Sequence, residues 1–337
     1  MTSRKNGLMR RLGGASLLVR AGLLVVILGV FSVLSPNFIN GYNVYALMQT
    51  FALLGMVTLG LSLTMIAGEF DLSVGSMVAV AGLITLKLGG SSMIVGTLCA
   101  VGFGVIVGLV NAAISSWLRV SSLVVTVGTM MTLSGLAYWI GGGQVVSTDN
   151  IDAGMFLDDP ILGIFSARSL LAFAAFAAVF CLMRFTRGGR DIVATGSRRQ
   201  VAAAAGARLG ISLAIVFVIS AGLSALAGSL IAISLTTASP ELGANLMLQA
   251  ASAAIIGGVA LSGGVGGPIG VMIGVFILAT LNNGLSAMGA NASAVLFANG
   301  LVLLAVVILD GRLARALLER LREHRARQHL AAAAPAH

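Results

Sequence analysis

The chain alternates long apolar runs with short polar breaks. A helix crosses the hydrocarbon of a bilayer with about 17–25 predominantly apolar residues. Ten runs approach that length: residues 15–34, 44–67, 72–88, 93–116, 122–141, 168–185, 211–236, 246–261, 266–286 and 293–309. Arg4, Lys5, Arg10 and Arg11 precede the first run, as in a secretory leader. SPNFINGYN and a second run follow it in place of a small-residue cleavage site, so the first run reads as an anchor. One break, GEFDLSVG at 68–75, sets two carboxylates, Glu69 and Asp71, between apolar runs.

Composition supports the pattern. Of 337 residues, 58% are hydrophobic and 9% charged, and the mean hydropathy is +1.04. A soluble domain carries roughly 25% charged residues, so the expected fold is an all-α polytopic membrane protein of about ten transmembrane helices. The 44 glycines suit close helix packing rather than disorder. A net charge of +9 would suit a nucleic-acid partner, but its placement excludes one. With the N-terminus in the cytoplasm, eighteen of the 20 Lys and Arg fall in residues 1–20, at Arg119, in 184–210 or after 310. Only Lys87 and Arg168 lie outside, where the segment near 142–167 has Asp149, Asp152, Asp158 and Asp159. This asymmetry predicts cytoplasmic termini, with the positive charge facing the inner leaflet and the cytoplasm. A basic segment (1–14), a membrane domain (15–310) and a basic amphipathic tail (311–337) on the lipid surface follow.

Cys99 and Cys181 sit in separate apolar runs and read as packed core rather than as a disulfide or metal pair. His324, His329 and His337 all fall in the tail, which excludes a histidine-based metal or catalytic site in the membrane. No metal and no catalytic residue is expected.

Two readings of the carboxylates stay open. Asp71 immediately precedes the third run, where its side chain can accept from the free amides of Ser73 or Val74, an N-cap worth roughly 1 kcal/mol. Alternatively, residues 67–75 form a break at membrane depth, tolerated where irregular backbone is buried in protein or lines a cavity. Glu69 has no capping role, and its turn contains no base. GGVALSGG (257–264) aligns with GEFDLSVG, with Ala260 at the place of Asp71, and suggests an internal two-fold repeat whose paired breaks flank a pore. Thr126, Thr129 and Thr132 recur on one helix face and suit packing, while Asn111, Asn282 and Asn283 suit interhelical bonds or the pathway. Candidate pathway residues are Glu69, Asp71, Ser73, Asn111, Thr126, Thr129, Ser262, Asn282 and Asn283. The one large cytoplasmic loop, 184–210, contains SRRQVAAAAGAR, a short helix former that stops near Gly206. It reads equally as a partner's docking point or as a basic loop on anionic lipid.

Several stretches resemble the permease subunits of bacterial ABC importers for ribose, xylose and galactose. They are GEFDLSVGSMVAVAG (68–82), GLVNAAISSWLRVSSLVVTVGTMMTLSGLAYWIGGGQVV (108–146), ATGSRRQVAAAAGA (194–207) and AAIIGGVALSGGVGGPIGVMIGVFILATLNNGL (253–285). The resemblance implies a permease paired with a second copy, as a homodimer, or with a paralogue. Its partners would be a cytoplasmic ATPase holding ATP and Mg and an extracytoplasmic solute-binding protein. Arg190, Arg198, Arg199, Ala203, Ala204 and Gly206 would face that ATPase. No GxxxxGK[ST] phosphate loop is present, so energy comes from another chain or from an ion gradient. The competing reading is a stand-alone ion-coupled transporter or channel using Glu69 and Asp71.

Overall fold

The computed structural model describes residues 2–310 except Ser91 and Arg119; the expected basic tail, 311–337, with its three histidines, lies outside the described residues. Thirteen helices are present among them: α1 (Thr2–Leu34), α2 (Gly41–Ile66), α3 (Val74–Gly89), α4 (Met93–Trp117), α5 (Ser122–Gly141), α6 (Ile151–Asp158), α7 (Ala167–Phe185), α8 (Arg187–Ser197), α9 (Arg199–Ala204), α10 (Leu209–Leu235), α11 (Leu246–Ile256), α12 (Pro268–Ala287) and α13 (Ala292–Asp310). Strands β1 (Val146–Ser147) and β2 (Thr237–Ala238) form a two-residue antiparallel ribbon, Val146 opposite Ala238 and Ser147 opposite Thr237. Among the described residues, seven helices are long and apolar enough to cross a membrane, and α3, α11 and the Ala292–Ala305 part of α13 are shorter apolar helices. The chain is therefore an all-α, polytopic membrane protein, and each of the ten expected runs overlaps one of these helices.

Local chemistry sets several of the boundaries. Asn40 starts α2 by accepting from the Asn43 amide at 2.8 Å. Ser166 and Ser169 cap α7 reciprocally, satisfying amides that the first turn leaves free. Helix α12 opens with Pro268, whose missing N–H costs nothing at that position.

The longest element of the interior, α10, spans 27 residues, about 40 Å. It packs antiparallel to α4 and parallel to α3. Gly104 and Gly108, one turn apart on α4, make the α4 seam possible: a Cβ at Gly108 would stand 2.6 Å from the Phe217 carbonyl oxygen, and one at Gly104 would stand 2.8 Å from that of Ala221. Phe51 of α2 stacks on Phe173 of α7 and Phe276 of α12, with ring centroids 4.7 and 4.4 Å apart.

Helices α2, α4, α7, α11 and α13 run away from the ribbon end, and α3, α5, α10 and α12 return to it. The opposite end, carrying α8 and α9, is termed the basic end.

The structure corrects three expectations. Helix α11 stops at Ile256 rather than running on to 261; its eleven residues span about 16 Å, half of the roughly 30 Å hydrocarbon thickness. The 184–210 segment holds two helices, α8 as well as the expected Ala-rich one. Cys99 and Cys181 are exposed rather than in the core; in hydrocarbon a lipid-facing position accepts the same side chains as an interior one, so apolarity does not separate the two.

Candidate functional site

Two helices end in the same way beside one another. At the end of α2, the Gly68 amide donates to the Met65 carbonyl and the Glu69 amide to that of Thr64. At the end of α11, the Gly258 amide donates to Ile255 and the Val259 amide to Ala254. Both are Schellman caps, with a left-handed glycine at φ +80° (Gly68) and +88° (Gly258). The structural register thus pairs Gly68 with Gly258, one residue away from the sequence alignment, and sets Glu69 opposite Val259. Each cap closes a helix–turn–helix unit of one direction, α2–α3 and α11–α12. The two turns touch: the Gly264 amide donates to the Ile66 carbonyl at 2.8 Å.

Asp71 is fully buried in the first turn. Its Oδ1 accepts from the Ser73 amide at 3.1 Å and the Ser73 hydroxyl at 2.6 Å, and its Oδ2 accepts from the Ser220 hydroxyl of α10 at 2.8 Å. The amide bond expected from the sequence is present, although Ser73 itself occupies the cap position of α3. Neighbouring backbone is tied to α5: the Thr126 hydroxyl donates to the Phe70 carbonyl at 3.0 Å, and the Phe70 amide donates to the Ser122 hydroxyl at 3.3 Å. A carboxylate held by three donors is a fixed strut between α3 and α10.

Glu69, 8% exposed, forms an ion pair with Arg199, the first residue of α9. The base absent from its own turn comes from the 184–210 segment. The C-terminal turn of α8 lies directly against both breaks. A Cβ at Gly196 would overlap the Ile66 carbonyl and stand 2.6 Å from the Gly264 nitrogen, and one at Gly263 would stand 2.7 Å from the Gly68 Cα. Arg190, Arg198, Ala203, Ala204 and Gly206 are exposed on the outer side of this junction, as is Arg199 in part.

The other sequence candidates are placed elsewhere. The Thr129 hydroxyl donates to Asn111 Oδ1 at 2.6 Å and joins α5 to α4. Asn43 Nδ2 donates to Asn283 Oδ1 at 2.8 Å near the ribbon end, and Asn282 is beside it on α12. Ser262 is exposed in the second turn. The structure does not gather these residues into one site.

It offers instead a cleft of about 450 Å³ between α3, α5 and the 240–247 segment that leads down to α11. Ser76, Met131, Ser134, Tyr138, Glu241 and Met247 line it, and the Tyr138 hydroxyl donates to Glu241 Oε1 at 3.1 Å. Sequence reasoning passed over Glu241. The available signal was its isolation: no other acid occurs between Asp191 and Asp310. At the ribbon end, Arg168 pairs with Asp158 at 2.6 Å and braces the segment between α6 and α7.

Comparison with known proteins decides the family. The family described as "Branched-chain amino acid transport system / permease component" matches residues 43–308, most of the chain. The chain belongs to this permease family. Individual relatives cover nearly their whole lengths. The L-arabinose transport system permease protein of Escherichia coli K12 is 33% identical over 300 residues, 86% of this chain and 89% of that protein. The ribose import permease protein of the same strain is 29% identical over 295 residues, covering 86% and 92%. The autoinducer 2 import system permease protein of Photorhabdus laumondii is 29% identical over 312 residues, covering 90% and 91%. Comparison with solved structures returned no match. Family and apolar helices together make the permease a multi-pass inner-membrane protein. The matched region runs from α2 into α13 and takes in both capped turns, the α8–α9 segment and the cleft.

Proposed function

We infer that this permease is the membrane-spanning subunit of an ABC importer for a sugar or sugar-like solute. The carrying observation is likeness along almost the whole chain to proteins named as ribose, L-arabinose and autoinducer 2 import permeases. On this reading the subunit performs no hydrolysis. A separate ATPase binds ATP and Mg and docks on the exposed arginines and alanines of 190–206 at the basic, cytoplasmic end. An extracytoplasmic binding protein delivers solute at the ribbon end, and a second permease copy completes the pathway. The hydroxyls of Ser76, Ser134 and Tyr138 with the Glu241 carboxylate give the cleft partners that a neutral polyhydroxylated solute can use, and we assign the pathway to that side of α5.

A stand-alone ion-coupled transporter would need carboxylates free to exchange their ion. Asp71 is held by three donors and Glu69 by Arg199, which weighs against that reading. The deciding experiment screens solutes on the partner binding protein and follows uptake of the one that binds. Expected is uptake that stops on ATP depletion and keeps its initial rate with an uncoupler. The reverse pattern would overturn the importer. Deletion of residues 199–204 is expected to leave the permease in the membrane and abolish uptake.

A further inference from the structure

We propose that Glu69 and Arg199 are positioning residues that fasten the ATPase-docking segment to the break before α3, so that movement of α8–α9 is delivered to the two capped turns. The proposal rests on the importer reading.

The turn itself does not need an acid. In a Schellman cap, the residue after the left-handed glycine commonly makes an apolar contact with the preceding helix. The second unit follows this rule: Val259 takes that place and is 1% exposed. The first unit puts Glu69 there, its side chain 8% exposed, beneath an arginine from 130 residues along the chain. A buried carboxylate without a partner is costly, and Arg199 is the partner that the fold supplies.

Other contacts at the junction are backbone approaches across glycine: Gly196 against Ile66 and Gly264, and Gly263 against Gly68. Such contacts resist compression but not separation. They transmit a push from α8 but add no hold under a pull, which apart from the ion pair falls to Ile192 of α8, buried in the apolar core. The ion pair acts in the second direction. Asp71, two residues beyond Glu69, ties the displaced turn to Ser220 of α10, and Leu72, Gly75 and Ser76 just after it line the cleft.

The test uses Glu69→Val, the residue the twin turn carries, so that the cap still forms, together with Arg199→Gln and the exchange Glu69→Arg with Arg199→Glu. In the purified permease, amide exchange over residues 198–206 is read against α12. Both single variants are expected to exchange at least tenfold faster over 198–206, with α12 unchanged and the exchanged pair restored to within about threefold of wild type. In the full complex, ATP hydrolysis is measured with and without the binding protein and its co-purified solute. The stimulation ratio is expected to fall at least fivefold in the single variants and to recover in the exchanged pair. Wild-type exchange and stimulation in Glu69→Val, or an exchanged pair no better than the single variants, would overturn the proposal. If the wild-type complex lacks stimulation while the exchange result holds, the fastening stands and the importer reading fails.

Discussion

At Asp71 a fully buried carboxylate is answered by hydroxyls and an amide rather than by a counter-ion. Removing the acceptor leaves those donors buried and unpaired, at about 1–3 kcal/mol each. Asp71→Leu is therefore expected to lower the thermal midpoint of the detergent-solubilised protein by several degrees. Asp71→Asn preserves the shape and two of the three bonds and should cost far less. If Asp71 instead carried an ion, Asp71→Asn would keep wild-type stability and lose all uptake. Half of this arrangement was legible: the Ser73 contact is local and follows from a spacing of two residues. Ser220 lies 149 residues away, and Arg199 lies 130 from Glu69, so no local pattern could pair them.

Among elements, α11 and α4 show how far hydropathy reaches. The run 246–261 stays apolar through Val259, Ala260 and Leu261, yet the helix ends at Ile256 because Gly258 turns left-handed. Hydropathy counts side chains, while the stop is written in the backbone. The same limit explains Cys99 and Cys181, whose runs were read correctly and whose faces were not. The α4–α10 seam depends on the absence of side chains. Gly108→Val would force a methyl-bearing carbon into the Phe217 carbonyl, and overpacking of this kind typically costs 1–3 kcal/mol. Reduced membrane abundance and a lower melting temperature are expected, with Gly102→Val, which meets open space, as the neutral control.

For the molecule as a whole, charge placement gives a direction that the helices alone do not. Exposed Arg190, Arg198 and Arg199 stand at one end, and exposed Asp149, Asp152, Asp159 and Glu241 belong to the other. In a background with Cys99 and Cys181 replaced by alanine, Asp152→Cys should react with an impermeant maleimide on intact spheroplasts. Ala203→Cys should react only after permeabilisation. The opposite result would place the docking segment away from the ATPase. Ten runs and their order were readable because a bilayer sets a minimum length; the cleft was not, since it is made by segments near residues 75, 134 and 241 meeting in space.

The short ribbon has a mechanical meaning for that cleft. Pairing of Val146–Ser147 with Thr237–Ala238, continued by the Thr148 amide on the Thr236 carbonyl at 3.0 Å, yokes the exits of α5 and α10. Of the two only α5 is a wall of the cleft, and the ribbon holds its exit to that of α10. Widening of the vestibule falls to the opposite jaw, the descending 239–245 strap and the half-length helix hung from it.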